Sequence, residues 1–438
     1  RSNIRNLEFQ NKVGITWSAI SSGKPSFRFS LTPFFFDSKG PMMFKKSEDI
    51  SYTVYLGLLN SKVSEYILSF LSPTLDYRLG QIQNRTLLMC NENNKISKSV
   101  NLSIDITKED WDYFETSWDF QRHPFLMHIA DDKQTEVDGK VQNAFRIWQG
   151  EAKARFEQLK ANEESLNRIF IDLYGLNDEL TPEVADKDVS VRLADEVRDV
   201  KSFLSYFVGV VFGRYSLNTD GLAYAGGDWD RDAYRSFKPN EDNLLLLNDA
   251  NYFDDSRDIM NRLREFLTVT FGEKNVDENL EYLASVVGKK ADTAEMAVRR
   301  YFVEDFFKDH LKIYQKRPIY WEFNSGKRDG FKALMYLHRY DRNELAMLRT
   351  NYLHPLQGKY ETKIDQLTQL VNSETVISQK KRYEKALKHV GQQLTEIKKY
   401  DPIIQHIANQ QIALDLDDGV VVNYKKLQID GTILSKIK

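Results

Sequence analysis

The spacing of apolar positions changes several times along the chain, and each change marks a boundary between predicted elements. Between residues 26 and 44 the short runs "SFRFS", "PFFF" and "PMMF" predict β structure. "DSKG" at 37–40 predicts a hairpin turn in which Gly40 is free to take positive φ. In "SEDISYTVYLGLLNSKVSEYILSFLS", Tyr55, Leu58, Leu59, Tyr66, Ile67 and Phe70 recur near helical spacing until Pro73 ends the run. "YRLGQIQNRTLLM" predicts a loop leading into a strand. Residues 1–105 therefore form a small α/β module.

From about residue 105 the texture becomes helical. Thr107 opens a Thr–x–x–Asp capping pattern, and residues 141–174 form a long, charged helical stretch. Ser190 is placed to cap the apolar helix containing "FLSYFVGVVFG", and Gly272 and Gly288 are placed to end two later helices. "PIYWEF", the turn "NSGKRDG" and "FKALMYL" predict a β segment. After residue 349 two apolar stripes appear, Ile364, Leu367 and Val371, then Leu387, Val390, Leu394 and Ile397, separated by the polar "NSETVISQKK". They predict two long helices in an antiparallel, coiled-coil-like hairpin, followed by a turn at Asp418–Gly419 and a short strand or helix. The expected class is α+β. Four regions follow: an α/β module (1–105), a helical connector (106–180), a mostly helical domain with a short β segment (181–348), and the helical hairpin with its tail (349–438).

Composition sharpens this picture in two ways. The net charge of −3 hides a strong asymmetry. Residues 1–100 carry 13 basic and 7 acidic side chains, residues 101–200 carry 12 and 23, and residues 301–400 carry 19 and 12. Basic ends around an acidic middle suit a protein that binds a polyanion on a neutral scaffold. The lone cysteine, Cys90, excludes an intrachain disulfide and a cysteine zinc site, and leads to the expectation of a reducing cytoplasm. No apolar run approaches the ~20 residues of a membrane span. The start "RSNIRNLEFQ", without Met, leads to the expectation of a segment from the C-terminal side of something larger.

Catalytic motifs fail on inspection. "DWDRD" at 228–232 begins like a calcium loop, but Ala233 stands where Gly is needed and Pro239 where Glu is needed. "EAK" at 151–153 with Asp138 upstream has nuclease-like spacing but falls in a helical run. Gly209 and Gly213 fit close helix packing better than phosphate binding, and His123 fits a packed, hydrogen-bonded role. "DPII" at 401–404 lacks the second Pro and the aromatic of a base-gripping loop.

Several stretches in order resemble the C-terminal half of PglX-type adenine-specific DNA methyltransferases of bacterial BREX phage-defence systems, related to type IIG restriction–modification enzymes. They include "GITWSAISSGKPSFRFS", "FFFDSKGPMMF", "YLGLLNSKVSEYILSFLSPTLDYRLGQI", "DYFETSWDFQRHPFL", "FVGVVFGRYSL", "GLAYAGGDWD", "EFLTVTFG" and "ALDLDDGVVVNYKKLQ". The longest is "RRYFVEDFFKDHLKIYQKRPIYWEFNSGKRDGFKALMYLHRYD". The resemblance implies a catalytic half before Arg1, carrying a Gly-rich loop for S-adenosylmethionine and an Asn–Pro–Pro–Tyr motif for a flipped adenine. Neither motif is in this sequence, so no catalytic or cofactor-binding residue carries over. What remains is a target-recognition and scaffolding part, whose expected partners are double-stranded DNA, the methyltransferase half and other BREX subunits, in a bacterial cytoplasm.

Such a module positions itself on phosphates with Lys, Arg and hydroxyl side chains. The candidates are Ser18, Ser21, Ser22, Lys24 and Arg28 in the serine-rich opening stretch, Lys62 beside Asn60 and Ser61 in "LNSKVSEY", and Lys327 and Arg328 in the turn "NSGKRDG". Lys380, Lys381, Arg382, Lys385 and Lys388 form a further basic cluster on a long helix. Trp17 and Phe27 read as core. The competing function is a protein–protein scaffold that docks other defence subunits with little DNA contact, and a nuclease ranks last for want of a metal-ligand set.

Overall fold

The computed structural model describes residues 6–21, 23–30, 34–46, 51–71, 76–77, 79–83, 88, 91–129, 137–428 and 432–437. They divide into two compact units: Arg1–Trp111 with Gln149–Ala194, and Asp112–Trp148 with Asp195–Lys438. Each unit carries one small antiparallel three-stranded sheet among helices, an α+β architecture.

In unit one, β1 (Gly14–Trp17) lies between β2 (Phe27–Ser30) and β3 (Met42–Met43). Trp17 pairs with Phe27, and Thr16 pairs with both Arg28 and Met42. Strand alternation sends Ile15, Trp17 and Phe27 to one face, where they are buried. They meet Val54 and Leu58 of α1 (Tyr52–Leu59), Val63 and Leu68 of α2 (Lys62–Leu71), Ile96 and Val100 of α3 (Asn93–Asp112), and Phe170 of α4 (Val141–Tyr174). The single helical run expected after Pro41 is broken at Asn60–Ser61. Asn60 turns its amide onto the backbone of Phe27, accepting from its N–H and donating to its C=O at 3.0 Å each. Ser61 caps α2 by accepting from the Ser64 N–H at 3.3 Å.

Three local expectations are corrected in this part of the chain. "PFFF" is not a strand over Phe34–Phe36. Asp37 builds the 37–40 turn by accepting from the N–H groups of Lys39 and Gly40, at 2.8 and 2.9 Å, and Gly40 does not take positive φ. Thr107 does not start a helix: it lies inside α3, and its hydroxyl donates back to the Ser103 carbonyl at 2.9 Å. The strand expected near residue 88 falls largely outside the described residues; Leu79–Gln83 is helical.

In unit two, α5 (Glu196–Val211) is capped by Asp195, whose carboxylate accepts from the Arg198 N–H at 2.7 Å, rather than by Ser190. A Cβ on Gly209 would fall 2.5 Å from the Tyr215 ring, so the glycine serves close packing, as expected. Gly272 and Gly288 end α6 (Ile259–Phe271) and α7 (Val276–Val287) with φ of 87° and 68°. The next helix, α8 (Ala294–Tyr301), is capped by Thr293. The sheet order is β4 (Leu244–Leu246), β6 (Lys332–Tyr336), β5 (Tyr320–Asn324), with β5 and β6 joined as the hairpin expected around "NSGKRDG".

Both faces of this sheet are buried, which explains its continuous apolar runs. One face shares a core with two long helices, α9 (His354–Ser373) and α10 (Ile377–Asn409). Lys398 of α10 reaches Glu361 of α9 at 2.8 Å across this pair, whose connection is only Glu374–Val376. Leu367, Val390 and Ile397 are buried in that core with Trp321, Phe323 and Met335, and Ile364, Leu387 and Leu394 pack at its edge. The stripes therefore serve the sheet as well as each other. Gly419, at φ 78°, opens a final short helix, Val420–Lys426.

Candidate nucleic-acid interface

The serine-rich stretch leaves β1 as a loop that is pinned at several points. The Trp17 indole donates to the Tyr77 carbonyl at 2.9 Å, the Tyr77 N–H donates to the Ala19 carbonyl at 2.6 Å, and the Ala19 N–H donates to the Lys39 carbonyl at 2.9 Å. Trp17 is 1% exposed, a core residue as expected. Ser18 is exposed directly after β1. Ser21 is half-buried and accepts from the Gly23 N–H at 3.3 Å, and Ser22 lies outside the described residues.

The two cations of this stretch differ. Arg28 is exposed on β2, opposite Thr16 and on the face away from Trp17, with no acidic partner among the described residues. Lys24 is exposed but held by Glu65 at 3.1 Å and Asp188 at 3.2 Å. Partial burial pulls its pKa down, and these two partners outweigh that and hold it above the ordinary value. Glu163, next to this cluster, is pushed up to about 7, first by burial and then by Asp188 and Glu164. Lys24 thus sits in a carboxylate-rich setting supplied by residues far along the chain.

Lys62 is half-buried, and its backbone N–H donates to Asn167 at 2.9 Å. With Asn60 bonded to Phe27 and Ser61 buried as a cap, "LNSK" serves the fold at three of its positions.

In unit two, Lys327 and Arg328 are exposed on the β5–β6 turn. Glu396 of α10 holds that turn, accepting from the Ser325 hydroxyl at 2.7 Å, the Arg328 N–H at 2.9 Å and the Gly330 N–H at 3.1 Å. The Gln393 amide donates to the Arg328 carbonyl at 3.3 Å. Sequence spacing alone gave no sign that this turn rests on the basic helix, because 65 residues separate Arg328 from Gln393.

The rejected catalytic motifs have structural roles. Asp230 of "DWDRD" accepts from the Asp232 N–H at 2.9 Å at the start of a short 3₁₀ turn. Asp401 of "DPII" lies within α10, accepting from Arg349 at 2.7 Å and facing His354 at 3.1 Å. His123 is buried, accepts from the Phe125 N–H at 3.2 Å, and is lowered to about 3 by burial. Among the described residues, no group of three His, Cys, Asp or Glu side chains is placed to hold a metal, and no helix is long and apolar enough to cross a membrane.

The fold and these surfaces define an α+β segment with exposed cations in each unit. No family model matches the chain. Its whole length is 52% identical, over 439 residues, to the adenine-specific methyltransferase PglX of Lacticaseibacillus casei strain Zhang, of which it covers 36%. It is 31% identical over 470 residues to the adenine-specific methyltransferase BrxX of Escherichia coli O9:H4 strain HS, of which it covers 37%. The chain is thus similar over its whole length to two adenine-specific methyltransferases of the PglX and BrxX names, and spans a little over a third of the length of these curated relatives.

Proposed function

We propose that this chain is the DNA target-recognition and scaffolding portion of an adenine-specific (N6) DNA methyltransferase acting in bacterial BREX phage defence. The observation that carries the reading is the full-length match to two proteins named adenine-specific methyltransferases, by a chain whose sequence has neither the Gly-rich loop nor the Asn–Pro–Pro–Tyr motif. The methyl donor, S-adenosylmethionine, then belongs to the remainder of the longer protein, as does transfer itself. Double-stranded DNA is the ligand of this portion, in a bacterial cytoplasm with other BREX subunits as partners. Among the unit-one candidates, Arg28 and Ser18 are the accessible contacts. Ser21, Ser22 and Lys62 complete the set, and Lys24 would contribute only by exchanging Glu65 and Asp188 for phosphate.

The test is fluorescence anisotropy of the full-length enzyme on cognate and scrambled duplexes across a salt series. Arg28→Ala is expected to lower the log–log salt slope by about 0.9 if Arg28 neutralises one phosphate, or to cost ~1–3 kcal/mol on the cognate site alone if it reads a base. Lys24→Ala is expected to change either quantity less, since its charge is already compensated. An Arg28→Ala enzyme identical to the parent in slope and affinity would remove this face from the account.

One observation favours the scaffold reading. Leu7, Phe9, Val13, Phe34 and Phe35 are all exposed on two segments joined by the Asn11 N–H to Phe34 carbonyl bond and by Gln10, which brackets the Phe36 backbone. Exposed apolar groups gathered this way suit protein docking.

A further inference from the structure

We propose that unit two carries a sequence-independent phosphate track, formed by one face of α10 together with the Lys327–Arg328 turn. This deepens the DNA-binding reading and rests on it. On α10, positions 381, 385, 388, 392, 395 and 399 follow steps of three and four and so share one helix face. The residues are Lys381, Lys385, Lys388, Gln392, Thr395 and Lys399: four cations, an amide and a hydroxyl, with no acid. All but the half-buried Gln392 are exposed. From Lys381 to Lys399 the stripe runs roughly 27 Å at 1.5 Å per residue.

The β5–β6 turn borders this stripe, because Gln393 and Glu396, the residues beside positions 392 and 395, hold its backbone. Lys327 and Arg328 are thereby added to the stripe's edge as exposed cations.

One acid, the exposed Glu384, lies three residues after Lys381 and four before Lys388 at the stripe's border and offsets one of its charges; the other nearby acids are engaged elsewhere. Glu396 is committed to the turn; Asp329 pairs with Lys332 at 2.8 Å, Asp249 accepts from His389 at 2.8 Å and Gln393 at 3.0 Å, and Glu361 pairs with Lys398. Lys327, Arg328, Lys381, Lys385, Lys388 and Lys399 have no acidic partner among the described residues. The contrast with Lys24 is direct: there, carboxylates already occupy the place of a phosphate. A straight row of exposed cations on a rigid helix matches a phosphodiester backbone in charge and reach. It offers no fixed planar donor pair to a base except at Arg328, so it holds without reading sequence.

The test uses this chain, a random-sequence duplex and the K381A/K385A/K388A variant, with circular dichroism melting to confirm the fold. If each lysine neutralises one phosphate, the variant's log–log salt slope is shallower by about 2.7, and the parent's affinity advantage shrinks about 40-fold between 50 and 200 mM salt. Lys359→Ala with Lys363→Ala, on α9, is expected to leave the slope unchanged. Parent-like slope and affinity in a folded triple variant would overturn the track while leaving DNA binding by the rest of the chain intact. A parent that binds no duplex would overturn both. Displacement of the duplex by poly-glutamate as readily as by a second duplex would mark the face as a site for acidic protein and overturn the track as well.

Discussion

Glu163 and the two fully buried histidines, His123 and His310, respond to pH in opposite directions. In unit one, Glu163 titrates at about 7 in the folded chain, because burial penalises its charge, against an ordinary value of 4.5. Below the unfolded value both states hold the proton. As pH rises towards 7 only the folded state keeps it, so the stabilisation is present below 4.5 and lost through the folded value. Glu163→Gln is expected to raise unit-one stability by about 2–3 kcal/mol at pH 8 and to leave it unchanged at pH 4. In unit two, His123 and His310 are lowered to about 3 by burial. Their stabilisation is present above 6.5 and lost as pH falls towards 3. Urea unfolding curves at a series of pH values check both signs: a Gln variant that melts like the parent at pH 8 would show Glu163 to be solvated.

At the element scale, the helices and the β5–β6 hairpin were legible because their apolar spacing persists over many residues, and their ends were not. Thr107 matched a Thr-x-x-acid pattern that many stretches supply, and Ser190 was only a hydroxyl ahead of an apolar run, whereas the true cap of α5 is Asp195, five residues on. In the sequence Asn60 stands only as a neighbour of the candidate Lys62; its pairing with the Phe27 backbone depends on a strand that spacing alone could not bring to it. Asn60→Ala is expected to cost about 1–3 kcal/mol, since it strands a backbone N–H and C=O of β2. The two helical stripes give a sharper comparison. Ile397 is fully buried beneath the sheet, whereas Leu394 lies at the core edge. Ile397→Asp is expected to cost several kcal/mol, and Leu394→Asp distinctly less. Equal melting temperatures for the two variants would show that the stripe does not face the sheet as described.

At the scale of the whole molecule, charge counted along the chain misled in one place and helped in another. The surplus of cations in the first hundred residues suggested a basic N-terminal face. Yet unit one is assembled from Arg1–Trp111 and Gln149–Ala194, and the second segment brings Asp188 to Lys24, with Glu163 beside them. That interleaving cannot be read from linear composition. The basic surplus in residues 301–400 survives folding, because most of the local acids there are paired or held in turns while a row of lysines stays exposed. The central claim is that this chain is a phosphate-anchored DNA-binding portion of a longer methyltransferase. The most direct test is the affinity of the 438-residue chain for duplex DNA as a function of salt. Arg28 together with four or more track cations predicts a log–log slope of about −4 or steeper. A flat salt dependence, or no duplex binding at about 50 mM salt, would contradict it.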